Sequence, residues 1–373
     1  MTDDDHPKTE QIHKKRVSGM GRRRFLQTLS AAGFGAGALY LTPNDVQAAA
    51  SDEVPITYAI VRNESDTGYE PKKKMVPADW YNDLQHAHNV HQQANFLKRP
   101  GVAGTTVIPG KYGGENAKIR LEVSKQKASH DSVSLPVAKA ALPDAINGVP
   151  IEVVEVGSPQ LSCYESNYGS SPPAGVQINH GSTYGSLGSP MVKNGNKYFT
   201  TNYHIFGGSP TDEKLYQDSS TAIGKVSAYD CSQDFVACTP LNGHTPTRDI
   251  VDSSYYTWGH YTASGVDDLA AQGAAAEKHG QRTCKTSGTI HGRGDAWVYD
   301  ANCISRHDQV KWGTAVEDFY NGDSGSVAYH QYSGDKVLVL DLNAAYVPKD
   351  DPTGDYCFGT GAYKIYNSYG FGW

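Results

Sequence analysis

The stretch Asn321-Gly322-Asp323-Ser324-Gly325-Ser326, followed at once by the apolar run Val327–Tyr329, sets a serine in a glycine-rich turn at the head of a strand. Glycines beside a serine let backbone N–H groups turn inward, toward the oxyanion that forms when the hydroxyl attacks a carbonyl. A serine hydroxyl is a weak nucleophile until an imidazole takes its proton, and the imidazole needs a carboxylate to fix its tautomer. Two upstream segments supply those groups. Tyr198-Phe-Thr-Thr-Asn-Tyr-His204 is a strand ending in a small polar turn with a histidine, and Cys231-Ser-Gln-Asp234-Phe-Val-Ala-Cys238 opens an apolar strand with an acid. The order is His, Asp, Ser with gaps of 30 and 90 residues, so the three groups come from distant strand ends.

The sequence around them is a run of short apolar or alternating segments between Gly, Asn, Asp and Pro clusters. Gly175–Ile178, Lys197–Thr201, Ile223–Ala228, Phe235–Cys238, Trp297–Tyr299, Val327–Tyr329 and Val337–Leu342 are of this kind. Such spacing predicts an all-β sandwich or barrel over about 200 residues, enough for one large domain or a pair of barrels sharing a cleft. Leu269–Glu277 is the one helical pattern expected there.

Gly-Asp-Ser-Gly after a loop, Thr-x-x-His at a strand end, and Asp-Phe-Val-Ala between them resemble the chymotrypsin/trypsin family of serine endopeptidases. The His–Asp–Ser order is also that family's. Gly185-Ser-Leu-Gly188 resembles the first-barrel hairpin of secreted bacterial members. Lys278-His-Gly-Gln-Arg-Thr-Cys-Lys-Thr-Ser-Gly288 resembles the entry to their second barrel, with Cys284 where a glycine is usual. The resemblance covers roughly residues 175–373 and implies two six-stranded antiparallel β-barrels beside a smaller α+β N-terminal region.

It also implies roles. Ser324 would be the nucleophile, His204 the general base and then acid, and Asp234 the orienting carboxylate. The N–H groups of Gly322 and Ser324 would form the oxyanion hole, and Asp323 would be a buried structural acid behind the nucleophile, its ion-pair partner left open. Asp318, six residues before the nucleophile, would lie at the pocket base and select Arg or Lys. Glu317 and Phe319 flank it and the usual cysteine is absent, so that selectivity stays open. Leu342–Tyr346, including Asn343, Ala344 and Ala345, would form the pocket wall and pair with the substrate backbone. A glutamate-specific pocket would want a histidine near Leu342–Ala345, and none is there. Cys284–Cys303 matches the spacing of a second-barrel disulfide.

The chain has 373 residues, 38% hydrophobic and 20% charged, with 39 Gly and 24 Tyr, as a soluble loop-rich globular protein does. No uninterrupted apolar run is long enough for a membrane-spanning helix, and no repeat period is visible. Net charge is −7, spread unevenly. Residues 1–150 hold 19 Lys+Arg against 16 Asp+Glu, and residues 151–373 hold 14 against 24. An acidic C-terminal part would repel a phosphate backbone, so nucleic acid is not an expected partner.

Residues 1–50 read as an export signal: Arg22-Arg-Arg-Phe-Leu26, an apolar Gly/Ala-rich stretch Leu29–Leu41, and the small residues Ala48–Ala50. Paired arginines before Phe-Leu resemble the twin-arginine signal of prokaryotes, which implies a secreted protein with no stable membrane anchor after signal removal. All six cysteines (163, 231, 238, 284, 303, 357) follow residue 160, an even number in an oxidising compartment.

Residues 51–156 fall outside the resemblance and are expected to be a pro-region or accessory α+β domain. A helix is predicted within Val76–Phe96, starting after Pro77-Ala-Asp, with strands at Lys118–Val123 and Val149–Val156. Lys72–Lys74 reads as a solvated loop, and His86, His88 and His91 as solvated polar residues. Residues 157–174 are expected to be a linker. No metal or cofactor is expected; the acid run Asp350, Asp351, Asp355 reads as a solvated loop. The expected partner is a protein or peptide substrate and the expected state a monomer. Two other functions share these residues: a catalytically silent binding or adhesion module, and an esterase with the same triad.

Overall fold

A computed structural model describes residues 53–373 apart from 66–67, 113, 115, 156–167, 299–302, 304, 314–317, 320 and 348–355. The export signal, most of the linker, Cys163, Glu317 and the acid run at 350–355 thus lie outside the described residues.

The first part of the chain runs β1 (Glu53–Arg62), β2 (Tyr69–Pro77), α1 (Ala78–Ala94), β3 (Val102–Ile108) and β4 (Lys118–Val123). The short helices α2 (Lys125–His130) and α3 (Leu135–Ala140) lead to β5 (Ala145–Ile146) and β6 (Val149–Glu155). In α1 the buried residues Trp80, Tyr81, Leu84, Ala87, Val90 and His91 recur at helical spacing and cover a core of Ile56, Val102, Ile119 and Leu121. The helix starts directly after Pro77, two residues before the sequence expectation, and Asn95 ends it in a left-handed conformation (φ 47°).

The middle of the chain forms β7 (Gln177–His180), β8 (Thr183–Ser186), β9 (Met191–Lys193), β10 (Asn196–Thr201), β11 (Lys214–Tyr216), β12 (Ala222–Asp230) and β13 (Phe235–Pro240). Their sheet order is β8-β7-β11-β12-β13-β10-β9. Past the end of β8 the sheet curls back on β10. The Gly188 N–H donates to Thr200 O at 2.8 Å and Thr201 Oγ1 donates to Ser186 O at 2.9 Å. Asn194-Gly195, both at positive φ, make the tight turn that sets the β9–β10 hairpin.

The last part holds β14 (Tyr256–Tyr261), α4 (Ala263–Ala271), β15 (Ala275–Gly280), β16 (Cys284–Trp297) and β17 (Ser305–Trp312). Then come β18 (Val327–Ser333), β19 (Lys336–Val347), β20 (Tyr356–Gly361) and α5 (Ala362–Tyr369). Here β19-β18-β15-β16-β17-β20 pair in turn, and β20 pairs back to β19, closing a six-stranded antiparallel barrel. The all-β expectation therefore holds. Phe235, Val327, Tyr329, Leu342, Ile365 and Trp373 pack in the seam between the barrels.

The N-terminal region joins this second barrel by backbone hydrogen bonds. β1 pairs with β14, which runs parallel to β19, and β3 pairs with β16. Behind β3, Lys311 Nζ meets Glu122 Oε1 at 2.7 Å with both side chains about 1% exposed. Thr106 Oγ1 donates to the same oxygen at 2.9 Å.

Three expectations need correction. Lys72–Lys74 is no loop: it lies in β2 at the sheet edge, where lysines discourage further strand pairing, and Lys74 pairs with the buried Asp268. The helix near residue 270 is α4, ahead of the predicted span. Thr262 caps its start by accepting the Gly265 N–H, and Ala275 onward is strand because β15 is needed to close the barrel. His88 and His91 are not solvated. His88 Nε2 lies 3.3 Å from Asp267 and 2.9 Å from Arg293 Nη2, and His91 Nε2 lies 2.7 Å from Thr105 Oγ1.

Two outcomes follow. Glu122→Leu leaves Lys311 buried and unpaired and should lower the unfolding free energy by about 3–5 kcal/mol. Adding Lys311→Met should recover part of it, as read by urea denaturation. Burial also holds four histidines well below their ordinary value: His91, His279 and His291 at about 4 and His260 at about 3. From about pH 6.5 down to 4 the unfolded chain binds more protons than the folded one, so stability falls as pH falls. The thermal midpoint should drop steeply across that window. His260→Phe, which removes a fully buried imidazole packed against Tyr366 and edge-on to Trp373, should flatten the slope by about one proton.

Candidate active site

His204 sits in a single helical turn, Tyr203–Phe206, at the end of β10, and Asp234 immediately precedes β13. β10 and β13 are neighbours, so the turn and the acid meet at one barrel end. Asp234 takes a left-handed backbone (φ 47°), which an aspartate tolerates and which turns its carboxylate back toward β10. One oxygen, Oδ1, accepts the His204 backbone N–H at 2.9 Å, and the other, Oδ2, lies 2.7 Å from Nδ1 of the ring. Asn202 Nδ2 donates to the Asp234 carbonyl at 2.8 Å and locks the turn. The imidazole is therefore fixed with Nδ1–H on the carboxylate. Among the described residues its Nε2 has no hydrogen-bond partner, and the side chain is 35% exposed.

Asp234 is fully buried. Burial alone would raise its pKa; the charges of His204 and then Arg306 outweigh that and hold the carboxyl below the usual carboxylate range. Arg306, on β17, places Nη1 2.8 Å from Oδ2. Sequence reasoning missed this residue, because no local motif marks Ser305-Arg-His-Asp308.

The Ser324 turn is tied through Ser186 to β10, the strand that leads to His204. The Ser186 N–H donates to Ser324 O at 2.7 Å, while its carbonyl accepts from Thr201 on the other side. A Cβ at Gly325 (φ 94°) would run into Ser186 O and Thr201 Oγ1, so only glycine lets the turn approach β8 this closely. Gly322 is held at φ 116°, a conformation that disfavours any side chain, with the Gln281 amide close by. Its carbonyl accepts from Ser186 Oγ at 3.0 Å. Among the described residues the N–H groups of Gly322 and Ser324 meet no backbone acceptor. Beside them opens a cleft of about 510 Å³ lined by Gln177, Tyr184, Gln281, Arg282, Asn321 and Gly322. The Ser324 hydroxyl donates to Ala344 O at 3.1 Å, so it is turned toward β19 in this structure.

Asp323 is fully buried and has a cationic partner, Lys278, whose Nζ lies 3.2 Å from Oδ2 with both side chains at 0% exposure. Thr283 Oγ1 donates to Oδ2 at 2.6 Å, and the N–H groups of Arg282 and Thr283 donate to Oδ1 at 2.8 and 3.1 Å. These carboxylate contacts come from Lys278, Arg282 and Thr283, within the stretch Lys278–Gly288 whose motif was legible while the partner of Asp323 was left open.

The remaining site residues divide. Asp318 is 7% exposed, and its carbonyl accepts from Thr286 Oγ1 at 2.7 Å. Ala344 and Ala345 lie on β19, with the Ala344 carbonyl accepting the Ser324 hydroxyl. Asn343 does not face a substrate: it is fully buried, its Oδ1 accepting from Trp312 Nε1 at 3.0 Å and its Nδ2 donating to Ser326 Oγ at 3.3 Å. Alternation along the strand turns it into the barrel. The Cys284–Cys303 pairing is also corrected. Cys303 is bonded to Cys231, with Cα atoms 5.7 Å apart, because the strand carrying Arg306 runs beside the Asp234 turn. Cys284 is disulfide-bonded elsewhere, and Cys238 and Cys357 are free and buried.

No family model matches this chain and no curated protein does. Solved structures do. A glutamic-acid-specific serine protease described as using a histidine triad in substrate binding aligns at 18% identity, over 54% of this chain and 99% of its own, with TM-score 0.41. A Nocardiopsis protease aligns at 17% identity and 0.41, and a Cellulomonas bogoriensis chymotrypsin at 17% and 0.40, each over 54% of this chain and 97% of its own. These neighbours are bacterial serine proteases matching about half of the chain.

Lys278→Met leaves the Asp323 carboxylate buried without its cation. The expected result is a loss of about 3–5 kcal/mol in urea unfolding and faster amide exchange at Gly322–Gly325, with the β10–β13 amides unaffected.

Proposed function

We propose that the chain is an exported serine endopeptidase acting through Ser324, His204 and Asp234, without a cofactor. The observation that carries the reading is the double engagement of His204 by Asp234, through backbone N–H and Nδ1, together with a serine turn pinned from behind by Lys278 and Asp323. An ordinary surface histidine has no need of a fully buried carboxylate.

The steps follow from the residues. A peptide lies along β19 at Ala344 and Ala345 and adds a strand to its edge. The Ser324 hydroxyl leaves the Ala344 carbonyl, rotates toward His204, and attacks the scissile carbonyl as Nε2 takes its proton. Negative charge gathers on the carbonyl oxygen and meets the N–H groups of Gly322 and Ser324. Asp234 keeps the imidazole in the tautomer that can receive the proton and steadies the imidazolium. His204 then hands the proton to the leaving amine. Water attacks the acyl-enzyme by the same route in reverse, with His204 again as base. The arginines at 22–24 and the alanines at 48–50 support export through a twin-arginine route, and the Cys231–Cys303 disulfide suits an oxidising destination.

A fluorophosphonate probe tests the core of this reading. Purified protein is expected to be labelled, with labelling abolished in Ser324→Ala and lowered at least about a hundredfold in His204→Ala, in low and high salt alike. Peptide hydrolysis should fall in parallel. A folded wild type that takes up no probe would point instead to the silent binding module, and labelling with ester but no peptide turnover to an esterase.

A further inference from the structure

Arg306 is the cation paired with Asp234 among the described residues, and it uses the same carboxylate oxygen as His204: Nη1 lies 2.8 Å and Nδ1 2.7 Å from Oδ2. The guanidinium is 2% exposed. The contact is charge to charge rather than an aligned hydrogen bond, and Nε has no acceptor among the described residues, so nothing else accounts for a cation at this depth. Its position is built rather than incidental. Cys303, three residues before Arg306, is bonded to Cys231, three residues before Asp234, which staples β17 of the second barrel to the acid turn of the first. Thr360 Oγ1 of β20 donates to Gln233 O at 2.6 Å, and Gln233 Nε2 to Ser368 Oγ at 3.1 Å, holding the same turn from the same side.

We propose that Arg306 is a positioning residue for the His204–Asp234 pair, and that its fixed charge extends the working range of the His204 base toward acid. The inference rests on the catalytic reading above. With His204 neutral, Arg306 and Asp234 balance one another. When His204 takes a proton, imidazolium and guanidinium must share one negative charge, so protonation is harder than beside an unshared carboxylate. The base form then persists to lower pH. The other titratable groups around the turn do not supply this effect. Asp230, at the end of β12, is engaged by Ser232, by the Gln233 N–H and by the hydroxyl of Tyr369 on α5. His307, next to Arg306, is turned out to Asp295. Tyr203, on the His204 turn, packs its ring toward Tyr229, and Asn202 and Thr360 are neutral.

The test is the pH profile of kcat/KM, together with the fluorophosphonate labelling rate, for the full-length wild type and for Arg306→Met and Arg306→Lys. The acid limb of Arg306→Met is expected to move up by about one pH unit, so that activity at a fixed pH on that limb falls about tenfold relative to the plateau. KM should stay within about twofold, and Arg306→Lys should restore the wild-type limb. Arg306→Gln, which keeps length and a donor without charge, carries the same expectation should the Met variant fail to fold. A limb that stays in place in the uncharged variants, whatever happens to the plateau, overturns the proposal and leaves Arg306 a structural tie. A wild type that is neither labelled nor active is a different result, because it removes the catalytic reading itself.

Discussion

Asp234 is a carboxylate with no access to water, and a charge in that position survives only if the surrounding chain answers it. The answer comes from both halves of the molecule. The first barrel contributes two N–H groups of His204 to the carboxylate, while the amide of Asn202 holds the turn through the Asp234 carbonyl. The second contributes the Arg306 guanidinium, while the disulfide and the Thr360 hydroxyl, on Gln233 O, hold the turn that carries the acid. A histidine oriented this way therefore exists only where the two barrels meet, and its geometry reports on how they are docked. The same logic repeats behind the serine. Asp323 is buried on the second barrel and answered by Lys278 and Thr283, and the loop it anchors is then pressed against Ser186 of the first.

Much of this was legible in the sequence, for physical reasons. Short strands punctuated by Gly, Asn and Asp announce an all-β fold because turns need those residues, and Asn194-Gly195 behaves as such a pair. His204, Asp234 and Ser324 were visible because each sits at a strand end, where a local motif survives without its neighbours. Arg306 was not visible, since its meaning comes wholly from a contact 72 positions away in the chain and its flanks are ordinary polar residues. Cysteine pairing failed for the same reason: spacing constrains loops, whereas Cys231 and Cys303 are neighbours only because β17 passes the acid turn. Asn343 was misread because a strand alternates, and counting along it does not say which face a residue takes. The histidines of α1 were misread because their partners Asp267, Arg293 and Thr105 lie on other elements, beyond any local pattern.

The residues before 156 are the part for which sequence gave least. Nothing in their composition says that β1 and β3 will become strands of another sheet, or that Glu122 will meet Lys311 in a dry interior. Charges in β4 and β17 that look like solvated faces are in fact a matched pair across the junction. A lone lysine or glutamate at either position would be a burden; together they fix how β4 lies relative to β17.

That junction separates two properties that are easily treated as one: being on the same chain and being in the same body. Ladder hydrogen bonds at β1–β14 and β3–β16, the Glu122–Lys311 pair and the Arg293–Asp267–His88 network all cross between or rest on both parts without using the covalent link between them. These connections hold the two parts together whatever the state of the backbone that joins them. Release of the N-terminal piece would be an unzipping of strands that must expose a buried ion pair to water, and its rate would be set by that opening rather than by the covalent link.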